Sequence, residues 1–179
     1  MIYLIRHGEA AASWGSHPDP GLSVRGRAQA EAAADTLSAL GIEQILSSPM
    51  ARCQETAHAF SKTSGLSVSI EPRVTEIPTP KNIEDRVSWL RGLMSGDWSS
   101  APVLVETWRQ DLLAAISQTP SHTAIFTHFV AINAVVGHLE GLGDVTVFRP
   151  NYCSLTKLSK TGDTVSLLER GQSLETKVL

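Results

Sequence analysis

The fold is decided at the start of the chain, where residues 2–9 read IYLIRHGE. Four consecutive apolar residues at 2–5 predict a short buried strand, so the arginine and the histidine stand directly after its end. An unprotonated imidazole such as that of His7 is a nucleophile, and the guanidinium of Arg6 can fix an anion. This stretch therefore predicts the first strand of a sheet and, at its end, part of an anion site.

From this strand onward, short apolar runs alternate with amphipathic patterns over almost the whole chain. Further strands are predicted at 42–47, 66–70 and 124–126, and a hairpin or two edge strands at 153–158 and 164–169. Helices are predicted between them, at 23–40, 48–65, 82–95, 103–117 and 129–139. This alternation favours an α/β fold, a three-layer α/β/α sandwich around a mostly parallel sheet, with residues 1–179 forming a single domain.

Two helix boundaries have local signals of their own. Ser23 is expected to cap the first helix, which would run to Leu40 and stop at Gly41. The dipeptide at 48–49 is Ser-Pro, a capping residue followed by a proline suited to the first helical position. The second helix should therefore start there and carry Arg52 in its first turn.

Composition excludes several classes of protein. Hydrophobic residues make up 42% of the 179 residues and charged residues 18%, which is typical of a soluble globular protein. The formal net charge of −3 provides no general basic field, so we expect neither nucleic-acid nor membrane binding. The two cysteines, Cys53 and Cys153, form no CxxC pair, and no apolar run suits a signal peptide or membrane span. A cytoplasmic location is expected.

Functional-looking residues follow three of the predicted strands. Besides Arg6 and His7, Ser47-Ser48 and Arg52 come after the second strand, and Thr127-His128 comes after the strand at 124–126. Ligands of open α/β sheets bind beyond the carboxyl ends of the strands. Arginines grip phosphoryl oxygens with paired hydrogen bonds, and positioned charge supplies most of the catalysis in phosphoryl transfer. These groups therefore predict one shared phosphate pocket.

A carboxylic acid is also needed if a leaving oxygen is to be protonated. Glu76 lies in a proline-rich loop and is the candidate, although Glu71 or Glu84 could take its place. A metal site made by His7, Glu76 and His128 is the main alternative to a phosphate pocket. The neighbouring arginines argue against it, because fixed positive charge repels a cation.

Several segments carry a family resemblance when they are taken together. They are LIRHGE at 4–9, LS at 22–23 with Gly26 and QA at 29–30, SSPMAR at 47–52 with ETA at 55–57, VTEI at 74–77, TH at 127–128 and NYCS at 151–154. As a set and in this order they resemble the signature of the histidine phosphatase superfamily, the phosphoglycerate mutase-like proteins, from residue 2 to about residue 158.

The resemblance implies a role for each candidate residue. His7 would be the phosphohistidine nucleophile, Arg6, Arg52 and His128 would form the phosphate pocket, and Glu76 would be the proton donor and then the base. The partner implied is a phosphorylated substrate, and a phosphate or sulfate ion could occupy the same pocket. No metal and no organic cofactor is implied. An edge strand or an exposed helix could support a homodimer.

The chain departs from the family pattern at three positions. Ala10 and Ser13 stand where the family often has threonine and asparagine, and Ser13 would reach the phosphate over a shorter distance. Phe129 follows the second histidine, where glycine is common, and would place an aromatic wall beside the substrate. These departures bear on the substrate and leave the reaction class unchanged.

The activity expected from these residues is phosphomonoester hydrolysis. A phosphoglycerate mutase-type transfer is the first alternative. It is disfavoured because the segment between Arg52 and Glu76 is short and the loop after Glu76 lacks the basic residues with which mutases grip a carboxylate. The second alternative is a non-catalytic phosphate- or phosphoprotein-binding module on the same fold, which would require Glu76 to be misassigned.

Overall fold

A computed structural model describes residues 1–12 and 17–173 of the chain. Its strands are β1 (Ile2–Arg6), β2 (Gln44–Ser47), β3 (Val68–Ile70), β4 (Thr123–Thr127), β5 (Leu155–Thr161) and β6 (Thr164–Glu169). Its α-helices are α1 (Val24–Leu37), α2 (Ala51–Ser64), α3 (Arg86–Met94), α4 (Val103–Gln118) and α5 (Phe129–Glu140), and short 3₁₀ turns occur at Pro72–Val74 and Trp98–Ser100. None of the helices in these ranges is both long and apolar enough to span a membrane.

The strands form one six-stranded mixed sheet in the order β3-β2-β4-β1-β5-β6. The pairings of β1 with β4, β4 with β2 and β2 with β3 are parallel, whereas β5 is antiparallel to both β1 and β6. The predicted hairpin is therefore confirmed, but only its second strand is an edge. Since β1, β2 and β4 are parallel neighbours, their carboxyl ends meet at one edge of the sheet.

The central strands are buried on both faces, because helices cover each side. Ile2 and Leu4 of β1 pack into a core shared with α3, α4 and α5. Tyr3 and Ile5, which point to the opposite face, pack into a second core shared with α1 and α2. The predicted α/β/α layering is confirmed, and it explains why these strands read as uninterrupted apolar runs.

The first helix starts where it was predicted to start and ends three residues early. The Ser23 hydroxyl accepts a hydrogen bond from the backbone N–H of Gly26 at 2.9 Å and so caps α1. The helix ends at Leu37 rather than Leu40, where the Ser38 hydroxyl donates back to the Ala34 carbonyl at 2.9 Å. Side chains that bond to the backbone in this way compete with helix continuation.

The predicted start of the second helix is wrong by two residues. Met50 is the N-cap of α2, and the helix begins at Ala51 rather than at the proline. The Ser48 side chain is engaged by His128, 2.8 Å away, and the Asp19 carboxylate accepts the Ala51 N–H at 2.9 Å. A distant carboxylate thus does the capping that the local serine was expected to do.

The third helix is shorter than its apolar spacing suggested. It begins at Arg86, because the Asp85 carboxylate accepts the Ser88 N–H at 3.0 Å and caps it there. Ile83 therefore lies outside the helix, while Leu90 is fully buried and ties α3 to the core. This anchoring matters because one side of α3 forms a wall of the candidate site.

Candidate active site

His7 lies directly beyond β1, on backbone held by the neighbouring strand. Its N–H donates to the Thr127 carbonyl at 3.0 Å, and its ring Nδ1 lies 2.7 Å from the Gly8 carbonyl oxygen. A carbonyl only accepts, so the Nδ1–H must donate, which leaves the lone pair of the neutral ring on Nε2. The position and the hydrogen bond of Nδ1 therefore suit Nε2 for nucleophilic attack.

Arg52 connects the other candidate groups. It projects from the first turn of α2 and is buried, and its Nε donates to His7 Nε2 at 3.3 Å. Its Nη2 lies 3.1 Å from Glu76 Oε2 and 3.2 Å from His128 Nδ1, while Nη1 lies 3.8 Å from Asp19 Oδ1. Three of the sequence-predicted groups, His7, Glu76 and His128, thus have a direct contact with this guanidinium.

His128 is the N-cap residue of α5 and is completely buried. Its Nε2 lies 2.8 Å from Ser48 Oγ, and its ring lies 5.3 Å from that of His7, centroid to centroid. With Arg52 donating to Nδ1, the proton of the neutral ring is on Nε2 and is donated to the serine hydroxyl. Ser48 therefore orients the second histidine, a role that the sequence did not indicate.

Arg6 is held between aromatic rings. Its guanidinium carbon lies 4.0 Å from the centroid of Tyr152 and 5.3 Å from that of Phe129, and Nη1 donates to the Pro150 carbonyl at 2.9 Å. The buried Nε has no hydrogen-bond partner among the described residues. A buried donor without an acceptor is costly, and an oxyanion in the pocket is an acceptor of the kind it lacks.

Among the three carboxylates considered from the sequence, the structure places only Glu76 in the pocket. Glu76 is nine-tenths buried, and its Oε2 lies 3.4 Å from His128 Nδ1. Glu71 instead pairs with Arg73 at 2.8 Å, and Glu84 is exposed to solvent.

The surroundings of both histidines favour their neutral forms. Burial lowers the pKa of His7 well below its usual value, and the charges of His128, Arg6 and Arg52 lower it further. Burial, with the charges of Arg52 and Arg6, likewise holds the pKa of His128 well below the usual value. A neutral His7 at physiological pH is the form that can attack an electrophile.

These low pKa values predict a pH dependence of stability. Below a pH of about 6.5 the unfolded chain protonates both histidines and the native state does not, so acid favours the unfolded state. The free energy of unfolding should fall between about pH 7 and about pH 5.5, by up to about 1.4 kcal/mol per pH unit for each histidine. Urea titrations should show this slope.

The variant His7→Asn/His128→Asn serves to assign the slope to these two residues. It should flatten the slope, whereas His58→Asn, which alters an exposed side chain of α2, should preserve it. An unchanged slope in the double variant would contradict the buried neutral pair.

The groups open into a cleft of about 1270 Å³. The described residues place His17 and Phe129 in its lining, the latter as the predicted aromatic wall. Ser13, predicted to contact phosphate, lies outside the described residues. The mutase argument from the sequence is weakened, because α3, which follows the loop, presents Arg86 and Arg91 to the cleft.

Arg52 also bears on the metal alternative. The atoms that would bind a cation, His7 Nε2, Glu76 Oε2 and His128 Nδ1, all lie within 3.3 Å of a guanidinium nitrogen. In the ranges that the structure covers, no three His, Cys, Asp or Glu residues are grouped in a way that could hold a metal ion. The arrangement fits an anion, because its donors converge and the fixed positive charge of Arg52 is central.

One supporting residue escaped the sequence analysis. Asn133 of α5 is completely buried, and its Oδ1 accepts the N–H groups of Val147 and Phe148 at 2.8 and 3.0 Å. It thereby anchors the segment that carries Pro150 and Tyr152 to Arg6. Its signal is a single polar residue in the otherwise apolar stretch 129–136.

Comparison with known proteins agrees with this geometry. The family model of the histidine phosphatase superfamily (branch 1) matches residues 2–86. A relative named "Probable phosphoglycerate mutase GpmB", from Erwinia tasmaniensis, is 27% identical, and the match covers 79% of this chain and 75% of the relative.

Solved structures extend the fold match to nearly the full chain. A putative alpha-ribazole-5'-P phosphatase from Escherichia coli has a TM-score of 0.74 at 18% identity, with 98% of each chain covered. Phosphoserine Phosphatase from Entamoeba histolytica, in complex with 3-Phosphoglyceric Acid, has a TM-score of 0.74 at 18% identity, with 97% of each chain covered. The chain is thus similar to the histidine phosphatase superfamily in its motifs over residues 2–86, and it shares the fold of these solved phosphatase structures.

Proposed function

We propose that the protein is a phosphomonoester hydrolase that works, without a metal ion, through a phosphohistidine intermediate on His7. The observation that carries this proposal is the contact of His7 Nε2 with Arg52 Nε at 3.3 Å. It puts a neutral nitrogen nucleophile directly beside a fixed anion-binding donor. A phosphoryl group held by Arg52 would have its phosphorus within reach of Nε2.

The first step transfers the phosphoryl group to the enzyme. Arg6 and Arg52 donate to the phosphate oxygens beside the ring of His128, the lone pair of His7 Nε2 attacks phosphorus in line, and the bond from phosphorus to the substrate oxygen breaks. The departing oxygen takes its proton from Glu76, whose carboxyl lies next to Arg52 and His128. The product is an alcohol.

The second step regenerates the histidine. The ionised Glu76 accepts a proton from water as the water oxygen attacks phosphorus, and the phosphorus–nitrogen bond breaks with its electrons returning to Nε2. Inorganic phosphate then leaves. Since Nδ1–H stays bonded to the Gly8 carbonyl, His7 keeps one tautomer through both steps.

The second candidate is a mutase, which would return the phosphoryl group to an organic hydroxyl. The relative named "Probable phosphoglycerate mutase GpmB" favours it, as do the arginines of α3 in the cleft. Hydrolysis is the better supported proposal, because a cleft of about 1270 Å³ leaves the phosphorus open to water rather than closing over a small substrate.

The experiment separates these activities by the source of oxygen. Purified protein acts on glycerol phosphate and on 3-phosphoglycerate in water labelled with ¹⁸O, and the phosphate and the organic products are analysed by mass spectrometry. We expect one ¹⁸O atom per inorganic phosphate released. Isomerised phosphoglycerate without label would support the mutase, and tight phosphate binding without turnover would support the non-catalytic module.

A further inference from the structure

The loop that carries Glu76 has little regular structure to hold it. It follows the 3₁₀ turn Pro72–Val74, and residues 76–79 lie in neither a helix nor a strand. Among the described residues, no backbone-to-backbone hydrogen bond joins residues 76–79 to the rest of the chain. The position of the Glu76 carboxyl is therefore set by side chains that reach this loop from other elements.

Two such side chains hold the peptide groups directly before Glu76. The Thr127 hydroxyl, at the end of β4, donates to the Val74 carbonyl at 2.7 Å. The indole N–H of Trp108, which lies in α4, donates to the Thr75 carbonyl at 3.3 Å. Two successive carbonyls are thus held from two different elements of the fold.

These two hydrogen bonds are shielded from solvent. Thr127 is 2% exposed and Trp108 is 7% exposed, so water competes little with either bond. Val74 and Ile77 also pack their apolar side chains into the core, which limits how far the loop can move. Apolar contacts have no preferred direction, whereas hydrogen bonds do, so the two donors set the orientation of the peptide groups.

The orientation of this backbone determines where the Glu76 carboxyl lies. Its Oε2 is 3.1 Å from Arg52 Nη2 and 3.4 Å from His128 Nδ1, and its Oε1 accepts the Ile77 N–H at 3.2 Å. A proton donor must lie within hydrogen-bond distance of the atom that it protonates, and a misplacement of about 1 Å can cost about 10²-fold in rate. A rotation of the peptide groups before Glu76 would therefore impair proton donation.

We propose that Thr127 and Trp108 are positioning residues for the proton donor: they hold the Val74 and Thr75 carbonyls and so orient the Glu76 carboxyl toward the oxygen that leaves phosphorus. The proposal rests on the proposed function and adds two residues that act on the reaction through Glu76. Loss of either donor should therefore affect a substrate according to the proton that its leaving group needs.

The test uses a ratio that reports on proton donation to the leaving group. This ratio is kcat/KM for glycerol phosphate divided by kcat/KM for p-nitrophenyl phosphate, whose leaving group needs no proton. Since kcat/KM covers the steps up to release of the leaving group, hydrolysis of the phosphoenzyme does not enter it. A loss that is common to both substrates, such as a disturbance of His7 beside β4, cancels in the ratio.

Each positioning residue is replaced by a residue of similar shape that lacks the donor. We expect the ratio to fall by about 10-fold or more in Thr127→Val and in Trp108→Phe. It should stay at the wild-type value in Thr127→Ser, which keeps the hydroxyl. A wild-type ratio in Thr127→Val or in Trp108→Phe, whatever the absolute rates, would overturn the role of the residue replaced.

Matched controls come from the same strand and from a second tryptophan. Thr123, at the other end of β4, is fully buried and donates to the Pro120 carbonyl at 2.8 Å, so Thr123→Val makes the same change away from Glu76. Trp98 is 6% exposed, and its indole N–H has no partner among the described residues, so Trp98→Phe removes the same part of the ring without the hydrogen bond. Both variants should keep the wild-type ratio, and an equal fall in them would overturn the proposal.

Binding of inorganic phosphate separates this proposal from the proposed function. If the wild type hydrolyses no phosphomonoester, or if Glu76→Gln keeps the wild-type ratio, the proposed function or its proton donor fails. The position of Glu76 can still be measured, because its carboxylate competes with phosphate for Arg52. Calorimetric titration should then show tighter phosphate binding in Thr127→Val and Trp108→Phe than in the wild type, and equal affinities would overturn the positioning role.

Discussion

Replacing His7 by alanine is expected to lower kcat for p-nitrophenyl phosphate by on the order of 10⁴-fold or more. The substitution removes the nitrogen that attacks phosphorus, and no other described group in the pocket matches it. His128 is completely buried, and Cys53, whose pKa burial raises, is buried as a thiol. Initial rates with wild type and variant, together with acid quenching to trap a phosphoenzyme, measure the effect.

The controls for this substitution must separate chemistry from folding. His58→Ala alters an exposed histidine of α2, the same helix that carries Arg52, and should leave turnover unchanged. His7→Ala should still bind inorganic phosphate, because Arg6, Arg52 and His128 remain. Turnover by a folded, phosphate-binding His7→Ala protein, at more than a few per cent of the wild-type rate, would refute the phosphohistidine mechanism.

The fold was predictable because its signals are local and mutually consistent. The apolar runs at 2–5 and 124–126 are buried on both faces of the sheet. A strand that is buried on both faces has no alternation of apolar and polar residues, so these uninterrupted runs predict such strands. The boundaries were less predictable. Ser48 has the sequence of a helix cap, but its hydroxyl contacts His128, a residue 80 positions away, and no local rule contains that contact.

The main groups of the site were predictable for a topological reason. Arg6, His7 and His128 each stand at the carboxyl end of a strand, and parallel strands gather such residues at one edge. Glu76 needed the family resemblance to single it out from Glu71. The structure distinguishes these two residues by their partners, because Glu71 pairs with Arg73 whereas Glu76 pairs with Arg52.

The supports of the site were not predictable, because they come from distant segments. Asp19 caps α2 across 32 positions, and the segment around Pro150 reaches Arg6 across 144. Arg149 lines the cleft, and Asn133 holds Val147 and Phe148 of the same segment against α5. No local rule in the sequence brings such distant segments together, so these supports could be found only in the structure.

Replacing Glu76 by glutamine is expected to reduce kcat for glycerol phosphate by about 10²-fold or more, and kcat for p-nitrophenyl phosphate by far less. The p-nitrophenolate leaves without a proton, whereas an alkoxide needs one. The amide can keep the hydrogen bond that Glu76 Oε1 accepts from the Ile77 N–H at 3.2 Å, so the loop should hold its position. Rates on both substrates at several pH values measure the difference between the two losses of kcat.

Glu71→Gln is the matched control for this substitution. It makes the same chemical change in the same loop, but its partner is Arg73 on the protein surface, and exposed ion pairs contribute little. Both substrates should be turned over by this variant at wild-type rates. Equal losses on the two substrates in Glu76→Gln would remove Glu76 from the role of proton donor.

The Glu76→Gln variant should also bind inorganic phosphate more tightly than the wild type. The Glu76 carboxylate neutralises Arg52 from 3.1 Å, and an entering phosphate must compete with it for those donors. A phosphate that enters with one proton can pass that proton to the carboxylate beside it. The same contact that weakens phosphate binding thus prepares Glu76 to protonate the leaving oxygen, and a lower Ki for phosphate with a lower kcat for glycerol phosphate would be its signature.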